Sequence, residues 1–106
     1  MLSKRIFELQ ADVCKALAHP IRMEIIHLLR KEELCFARIQ EVTGCLKSNL
    51  SQHLKIMVKK GILKVRKDGQ RRYFSLSSRK VGEACQLMHE VLFQNIQEQQ
   101  ELLKNS

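Results

Sequence analysis

The chain reads KSNLSQHLKIMVKKGILKVRKDGQRRYFSL over residues 47–76, and this stretch predicts the fold. Its first half ends at Gly61 and carries apolar residues at helical spacing, namely Leu50, Leu54 and Met57. After Gly61 the pattern changes to two short strands, residues 62–66 and 71–76, on either side of a turn at residues 67–70, whose Asp68-Gly69 dipeptide strongly favours a hairpin. The stretch is therefore typical of a recognition helix followed by a β-hairpin.

The sequence upstream of this stretch predicts three more helices. Apolar spacing favours one over about residues 3–17, and Pro20 is suited to the first turn of the next. A short third helix is expected over residues 34–42, with Leu34, Ile39 and Val42 turned inward and Gly44 at its end.

The short third helix and the recognition helix together predict a helix-turn-helix at about residues 35–60. The hairpin at about residues 62–76 then forms a basic wing. The expected fold is mainly α with a small β-hairpin, a winged helix-turn-helix. At 106 residues the chain has room for one such domain, spanning 1–106.

A final helix is expected at about residues 78–103, with Ser77 or Ser78 as its cap. It carries a long apolar seam that exceeds what one small core needs, so we expect a homodimer. The expected interface combines the first and last helices and comprises Leu9, Val13, Val81, Cys85, Met88, Leu92, Ile96 and Leu103.

Positive charge is concentrated in one segment of the chain. Nine of the 19 Lys and Arg residues fall within residues 47–72 against a single acid, Asp68, so this segment carries the formal net charge of +8. Clustered cations gain free energy by displacing the counterions condensed on nucleic acid. Double-stranded DNA is therefore the expected partner.

The expected DNA contacts come from the recognition helix and the wing. The N-terminal side chains of a recognition helix meet base edges in the major groove, where Asn and Gln amides pair with adenine. A basic hairpin can follow the flanking minor groove. The expected contacts are Lys47, Ser48, Asn49, Ser51, Gln52, His53 and Lys55 on the helix, and Lys64, Arg66, Lys67, Arg71, Arg72 and Tyr73 on the wing.

Three motifs resemble the ArsR/SmtB family of metalloregulatory repressors: KALAHPIR at residues 15–22, ELC at 33–35 and SNLSQHLK at 48–55. The resemblance implies a homodimer that binds an imperfect palindromic operator and leaves it when an effector binds. It also implies a capping Ser at the start of the recognition helix, where this chain has Leu46.

The family's metal sites are altered in this chain. The soft-metal motif Glu-Leu-Cys-Val-Cys is reduced to Cys35 followed by Phe, Ala and Arg. Where the family places its zinc ligands on the last helix, this chain has Ser78, Lys80, Val91 and Gln94. Zinc is therefore not the expected inducer.

The remaining candidates for sensing are Cys35, Cys14, Cys85 and His89. Cys85 and His89 have the i, i+4 spacing of a helical metal chelate, and soft metal or metalloid ions favour two or more thiolates. Thiol oxidation or persulfidation is a further route. The alternative is a regulator without a metal sensor, controlled by its abundance or by a protein partner, in which the cysteines serve as small apolar residues.

An enzyme is not expected. The chain has no Cys-x-x-Cys, no nucleotide-binding glycine loop and no set of His, carboxylate and nucleophile. No segment resembles a signal peptide, and no window approaches the ~20 apolar residues of a membrane span. We therefore expect a cytoplasmic protein with no membrane partner and with its four cysteines reduced.

Overall fold

The computed structural model of the chain describes residues 3–105 as five helices and three short strands. Their order is α1 (Lys4–Leu17), α2 (Pro20–Leu29), β1 (Leu34–Cys35), α3 (Phe36–Thr43), α4 (Lys47–Lys59), β2 (Leu63–Asp68), β3 (Arg71–Leu76) and α5 (Arg79–Lys104). The strands form one antiparallel sheet in the order β1-β3-β2. The predicted mainly helical fold with a helix-turn-helix and a β-hairpin is confirmed.

Side-chain caps define the start of two helices. His19 caps α2, since its Nδ1 accepts the backbone N–H of Ile21 at 3.1 Å, and Pro20 occupies the first helical position. Ser78 caps α5, where its hydroxyl accepts the backbone N–H of Lys80 at 3.1 Å. The predicted start of the last helix is therefore confirmed.

The prediction of a helix over residues 34–42 is wrong at its start and in turning Val42 inward, whereas Gly44 ends α3 as predicted. Leu34 and Cys35 form β1, which pairs with Phe74 and Tyr73 of β3, and α3 begins only at Phe36. Val42 is 39% exposed and so does not face the core. Pairing with a strand some 40 residues away is a tertiary effect that local apolar spacing does not register.

The first strand of the wing reaches two residues further toward the turn than predicted, so the turn is tighter. β2 extends to Asp68, which pairs directly with Arg71, so only Gly69 and Gln70 form the loop. Gly69 has a φ of +62° and Gln70 does not have a positive φ, which fits a type II′ turn with glycine first. The hairpin therefore stays paired out to its tip and presents its cations on a regular frame.

The core lies between α2, α3, α4 and the sheet. As predicted, Leu50, Leu54 and Met57 are almost fully buried, so they fix which face of α4 is turned outward. The other buried apolar residues are Ala16, Ile25, Ile26, Leu29, Ile39, Ile62, Leu63 and Phe74. This core positions the recognition helix and the wing on one scaffold.

The start of α4 offers a test of its stability. Leu46 holds the N-cap position with extended backbone angles, φ −64° and ψ 145°, but supplies no side-chain cap and is 71% exposed. Leu46→Ser should raise the free energy of unfolding by about 1 kcal/mol, because a hydroxyl there can accept a first-turn N–H. Urea denaturation followed by circular dichroism measures this. Leu46→Ala is the control, and equal stability of the two variants would contradict the prediction.

Candidate nucleic-acid interface

The outer face of α4 is polar and open to solvent. Five of the predicted DNA contacts on this face are exposed, namely Lys47, Ser48, Asn49, Gln52 and Lys55. Ser51 lies beside them and is partly buried. The buried residues of the same helix set its rotation, so the polar side chains share one outward surface. This surface has the composition that reads base edges and phosphates.

His53 is the exception among the predicted contacts of α4. It is partly buried, and its Nδ1 accepts a hydrogen bond from Nε of Arg22 on α2 at 3.0 Å. Its ring also packs against the ring of His19. The structure thus gives His53 partners inside the protomer, and its contact with DNA stays a prediction.

The wing cations fall into two groups. Lys64, Lys67 and Arg71 are exposed along the hairpin. Arg66 instead forms an ion pair with Glu33, in which its Nε lies 3.1 Å from each carboxylate oxygen, and its guanidinium also stacks on the ring of Tyr73.

Arg72, on the other face of the hairpin, lies over the ring of Phe36 with its guanidinium carbon 5.2 Å from the ring centre. The wing therefore holds two of its arginines against aromatic rings.

Two ion pairs reduce the positive charge available to a partner. The Arg66 guanidinium holds the pKa of the Glu33 carboxyl below its ordinary value, mainly by hydrogen bonding. Lys60 lies 2.7 Å from Asp12 and lowers the pKa of that carboxyl in the same way. Both carboxylates are therefore ionised at neutral pH, and part of the basic segment is compensated.

A groove joins the recognition helix to the wing. It has a volume of about 480 Å³, with an apolar floor that includes Phe36, Leu54 and Phe74. Lys55, Lys67 and Arg72 lie along its sides, together with Ser51. The positive surface of α4 is thus continuous with that of the hairpin, as a duplex crossing both elements requires.

Three of the four candidate sensing residues line one cavity. Cys14, Cys85 and His89 border a space of about 330 Å³ between α1, α2 and α5. The sequence did not single out His27, whose ring stacks on that of His89 at 6.3 Å between centroids. Met23 and Met88 add two thioethers to the wall. The cavity is therefore rich in sulfur and imidazole.

Cys35 lies elsewhere, in a cleft of about 440 Å³ that also contains Arg38, Lys47 and Arg71. Burial raises the pKa of the Cys85 thiol, which favours its protonated form, whereas Cys14 is exposed. Within residues 3–105, no three His, Cys, Asp or Glu side chains are grouped closely enough to hold a metal ion. A metal or metalloid cofactor therefore stays a prediction.

The predicted dimer interface separates into two sets in the protomer. Val13, Val81 and Cys85 pack against the protomer's own core. The predicted residues that are exposed are Leu9, Met88, Leu92, Ile96 and Leu103. Six further exposed apolar residues on α1 and α5 were not predicted, namely Ile6, Phe7, Leu87, Val91, Phe93 and Leu102. Such a large apolar surface on two adjoining helices is typical of an interaction site.

Over the part of the chain that the structure describes, no helix has the length and apolarity needed to cross a membrane.

A family profile described as "Bacterial regulatory protein, arsR family" matches residues 19–65. The chain is also 30% identical over 93 residues to the uncharacterized HTH-type transcriptional regulator Rv0081 of Mycobacterium tuberculosis, covering 87% of this chain and 82% of that protein.

Two solved structures resemble the fold of this chain, and one further relative is named for cadmium resistance. The crystal structure of Rv0081 matches with a TM-score of 0.82 at 28% identity, over 92% of this chain and 98% of that one. A homodimeric winged helix-turn-helix domain, Mb0332 of Mycobacterium bovis, matches with a TM-score of 0.81 at 26% identity, over 92% and 93%. A cadmium resistance regulatory protein, a CadC homolog of Staphylococcus aureus, is 35% identical over 69% of this chain and 61% of its own length.

Proposed function

This chain belongs to the ArsR family of bacterial regulatory proteins, and on that premise we propose that it is a homodimeric repressor of a palindromic operator. It is a transcriptional regulator with a winged helix-turn-helix and not an enzyme. The observation that carries the proposal is the single polar and basic surface formed by α4 and the wing. The cations of residues 47–72 other than Lys60 and Arg66, which are paired with carboxylates, give that surface its affinity for a polyanion.

The apolar face of α5 and α1 supports the dimer. Leu92 and Phe93 are 54% and 59% exposed, and the face continues onto Phe7 of α1. Burying this much apolar surface against a second copy gains roughly 25 cal/mol per Å². A two-fold dimer presents two recognition helices to major grooves one turn apart, about 34–36 Å. The structural neighbour Mb0332 is described as a homodimeric winged helix-turn-helix DNA-binding domain, which supports a homodimer here.

Selection from random duplexes tests the function directly. The full chain should enrich inverted repeats whose half-sites are one helical turn apart, roughly 10 bp from centre to centre. Binding of the enriched duplex is then measured against a scrambled duplex of the same composition by fluorescence anisotropy. Enrichment of no common sequence, or equal affinity for both duplexes, would refute a sequence-specific regulator.

We further propose that the effector acts on the cavity between α1, α2 and α5. Cys14 and Cys85 both border it, so a soft ion that takes two thiolates, or an oxidant that links the two thiols, has partners there. Both helices that carry these cysteines belong to the proposed dimer interface. Repacking them would change the spacing of the two recognition helices and release the operator.

Single cysteine substitutions test this effector site. Arsenite, cadmium or a persulfide donor should release the operator from the wild type, and Cys14→Ser or Cys85→Ser should abolish that release. Cys45→Ser is the control, because Cys45 packs against the core and does not line the cavity. Cys35→Ser tests the second cleft. The proposed effector site would be contradicted if zinc alone released the operator. It would also be contradicted if arsenite, cadmium or the persulfide donor still released the operator from both Cys14→Ser and Cys85→Ser.

A further inference from the structure

Arg22 joins three helices through one guanidinium group. Its Nε donates a hydrogen bond to Nδ1 of His53 in the middle of α4, at 3.0 Å. Its Nη1 donates a second bond to the backbone carbonyl of Ala16 near the end of α1, also at 3.0 Å. Arg22 itself lies in the first turn of α2. One side chain therefore ties the recognition helix to a helix of the proposed dimer interface.

His53 is also held from the α1–α2 junction. The rings of His53 and His19 lie 4.4 Å apart between centroids and are tilted by 57°. His19 is fixed in turn, because its Nδ1 accepts the backbone N–H of Ile21. Both histidines are partly buried. His53 therefore fills the space between the junction and α4, so we assign it a role inside the protein.

We propose that Arg22 and His53 are a positioning pair that sets the orientation of α4 on the operator, and that protonation of His53 opens this link and lowers operator affinity in acid. The inference rests on the proposed function and adds residues that act on DNA binding without touching DNA. It also supplies a physical connection between α1 and the recognition helix.

The chemistry of imidazole explains the sensitivity to acid. Nδ1 of His53 accepts from Arg22 and so carries no proton in this arrangement, whereas an imidazolium has two donors and no acceptor. Protonation would remove the bond from Arg22 and place a positive charge against that guanidinium. The titratable or charged groups that face His53 are His19 from the junction and Arg22 from α2. Burial, then those two groups, holds the pKa of His53 below its ordinary value.

A second link connects α1 to the end of α4. Nζ of Lys60, just after the end of α4, lies 2.7 Å from the carboxylate of Asp12 on α1. Lys60 lowers the pKa of Asp12, so this pair stays ionised throughout the range in which His53 takes up a proton. Ala16 is the only buried residue that α1 contributes within the described chain. Two polar links therefore connect α1 to α4, one directly through Lys60 and one through Arg22.

Salt dependence distinguishes positioning from phosphate contact. Arg22→Gln should weaken binding of the selected operator by on the order of tenfold, the effect of losing a hydrogen bond made by a charged group. The log-log slope against salt should not change, because no phosphate contact is lost. Arg79→Gln removes the same charge from an exposed site and should leave affinity within about twofold. A slope reduced by roughly 0.9, or equal affinity of the two variants, overturns the assignment of Arg22.

The pH profile tests His53. Between pH 7.5 and 5.5 the wild type should lose at least about twofold more operator affinity than His53→Asn, whose Oδ1 can accept from Arg22 at every pH. His53→Phe replaces the imidazole by a ring without a hydrogen-bond acceptor. This variant should bind the operator weakly, and its affinity should not change with pH. The same pH dependence in wild type and His53→Asn would refute the pair.

Folding is followed separately by circular dichroism at each pH. The unfolded chain takes up a proton on His53 more readily than the folded one, so its contribution to stability is complete above about pH 6.5 and declines below that value. If Arg22→Gln does not fold, the comparison of wild type with His53→Asn decides alone. If the wild type selects no operator, the proposed function fails, whereas equal behaviour of all variants on a selected operator refutes only the positioning pair.

Discussion

Leu92→Glu should convert the dimer to a monomer and weaken operator binding by at least about 100-fold, or roughly 2.7 kcal/mol. Leu92 is 54% exposed in the protomer and lies in the middle of the apolar face of α5. Burying an unpaired carboxylate in an apolar interface costs several kcal/mol per ion, and two-fold symmetry places two of them together. A monomer offers one recognition helix, so it loses the second half-site.

Gln97→Glu is the matched control. It introduces the same charge on the same helix, but Gln97 follows Glu90 by seven residues and precedes Glu101 by four, so it lies on the acidic side of α5. Sedimentation at micromolar concentration should give a dimer for the wild type and Gln97→Glu and a monomer for Leu92→Glu. A wild type that sediments as a monomer, or a Leu92→Glu protein with wild-type affinity, would contradict the proposed dimer.

The helices were predictable because their signals are local. Pro20 at a first helical position, Ser78 as a cap and the spacing of Leu50, Leu54 and Met57 each act within a few residues, and all are confirmed. Strand β1 was missed because it has only two residues and exists through pairing with β3. A two-residue strand has no periodicity of its own, so the sequence of residues 34–35 reads equally well as the start of α3.

The partners of the charged side chains could not be predicted. Arg66 and Glu33 are 33 residues apart and Arg22 and His53 are 31 apart, distances at which sequence spacing carries no geometric information. Counting cations therefore overstated the charge presented to a partner, because Arg66 and Lys60 already have carboxylates. The charge pattern of the sequence was enough to locate the basic surface. Which of its cations are free to contact a partner could be determined only from the fold.

For the cysteines, too, local spacing was predictable and the contacts between helices were not. Helical spacing paired Cys85 with His89, and both do line one cavity. The approach of Cys14 from α1 and of His27 from α2 depends on how three helices pack, which no local pattern encodes. The same packing separates Cys35 from that cavity and places it beside the wing. Cys35 holds a motif position of the family, but the cleft around it contains three arginines, a lysine and Glu41.

Substitutions on α4 and on the wing should have different effects on specificity. Asn49→Ala or Gln52→Ala should cost roughly 1–3 kcal/mol on the operator and much less on random duplex DNA, because an exposed amide near the start of a recognition helix can pair with a base edge. Arg71→Ala should weaken binding to both DNAs alike and reduce the log-log salt slope by roughly 0.9, since a phosphate contact releases about one counterion.

The ion pair at Glu33 supplies a matched control for Arg71. Arg66 lies in the same hairpin and carries the same charge, but its guanidinium is paired with a carboxylate and stacked on Tyr73. Arg66→Ala should therefore change the salt slope less than Arg71→Ala, although both remove one arginine. Anisotropy titrations of operator and scrambled duplex at four salt concentrations measure both quantities. An amide that contacts a base must discriminate between DNA sequences, whereas an arginine that contacts a phosphate must not. Equal losses of affinity on the two DNAs for the α4 and the wing variants would therefore contradict these separate roles.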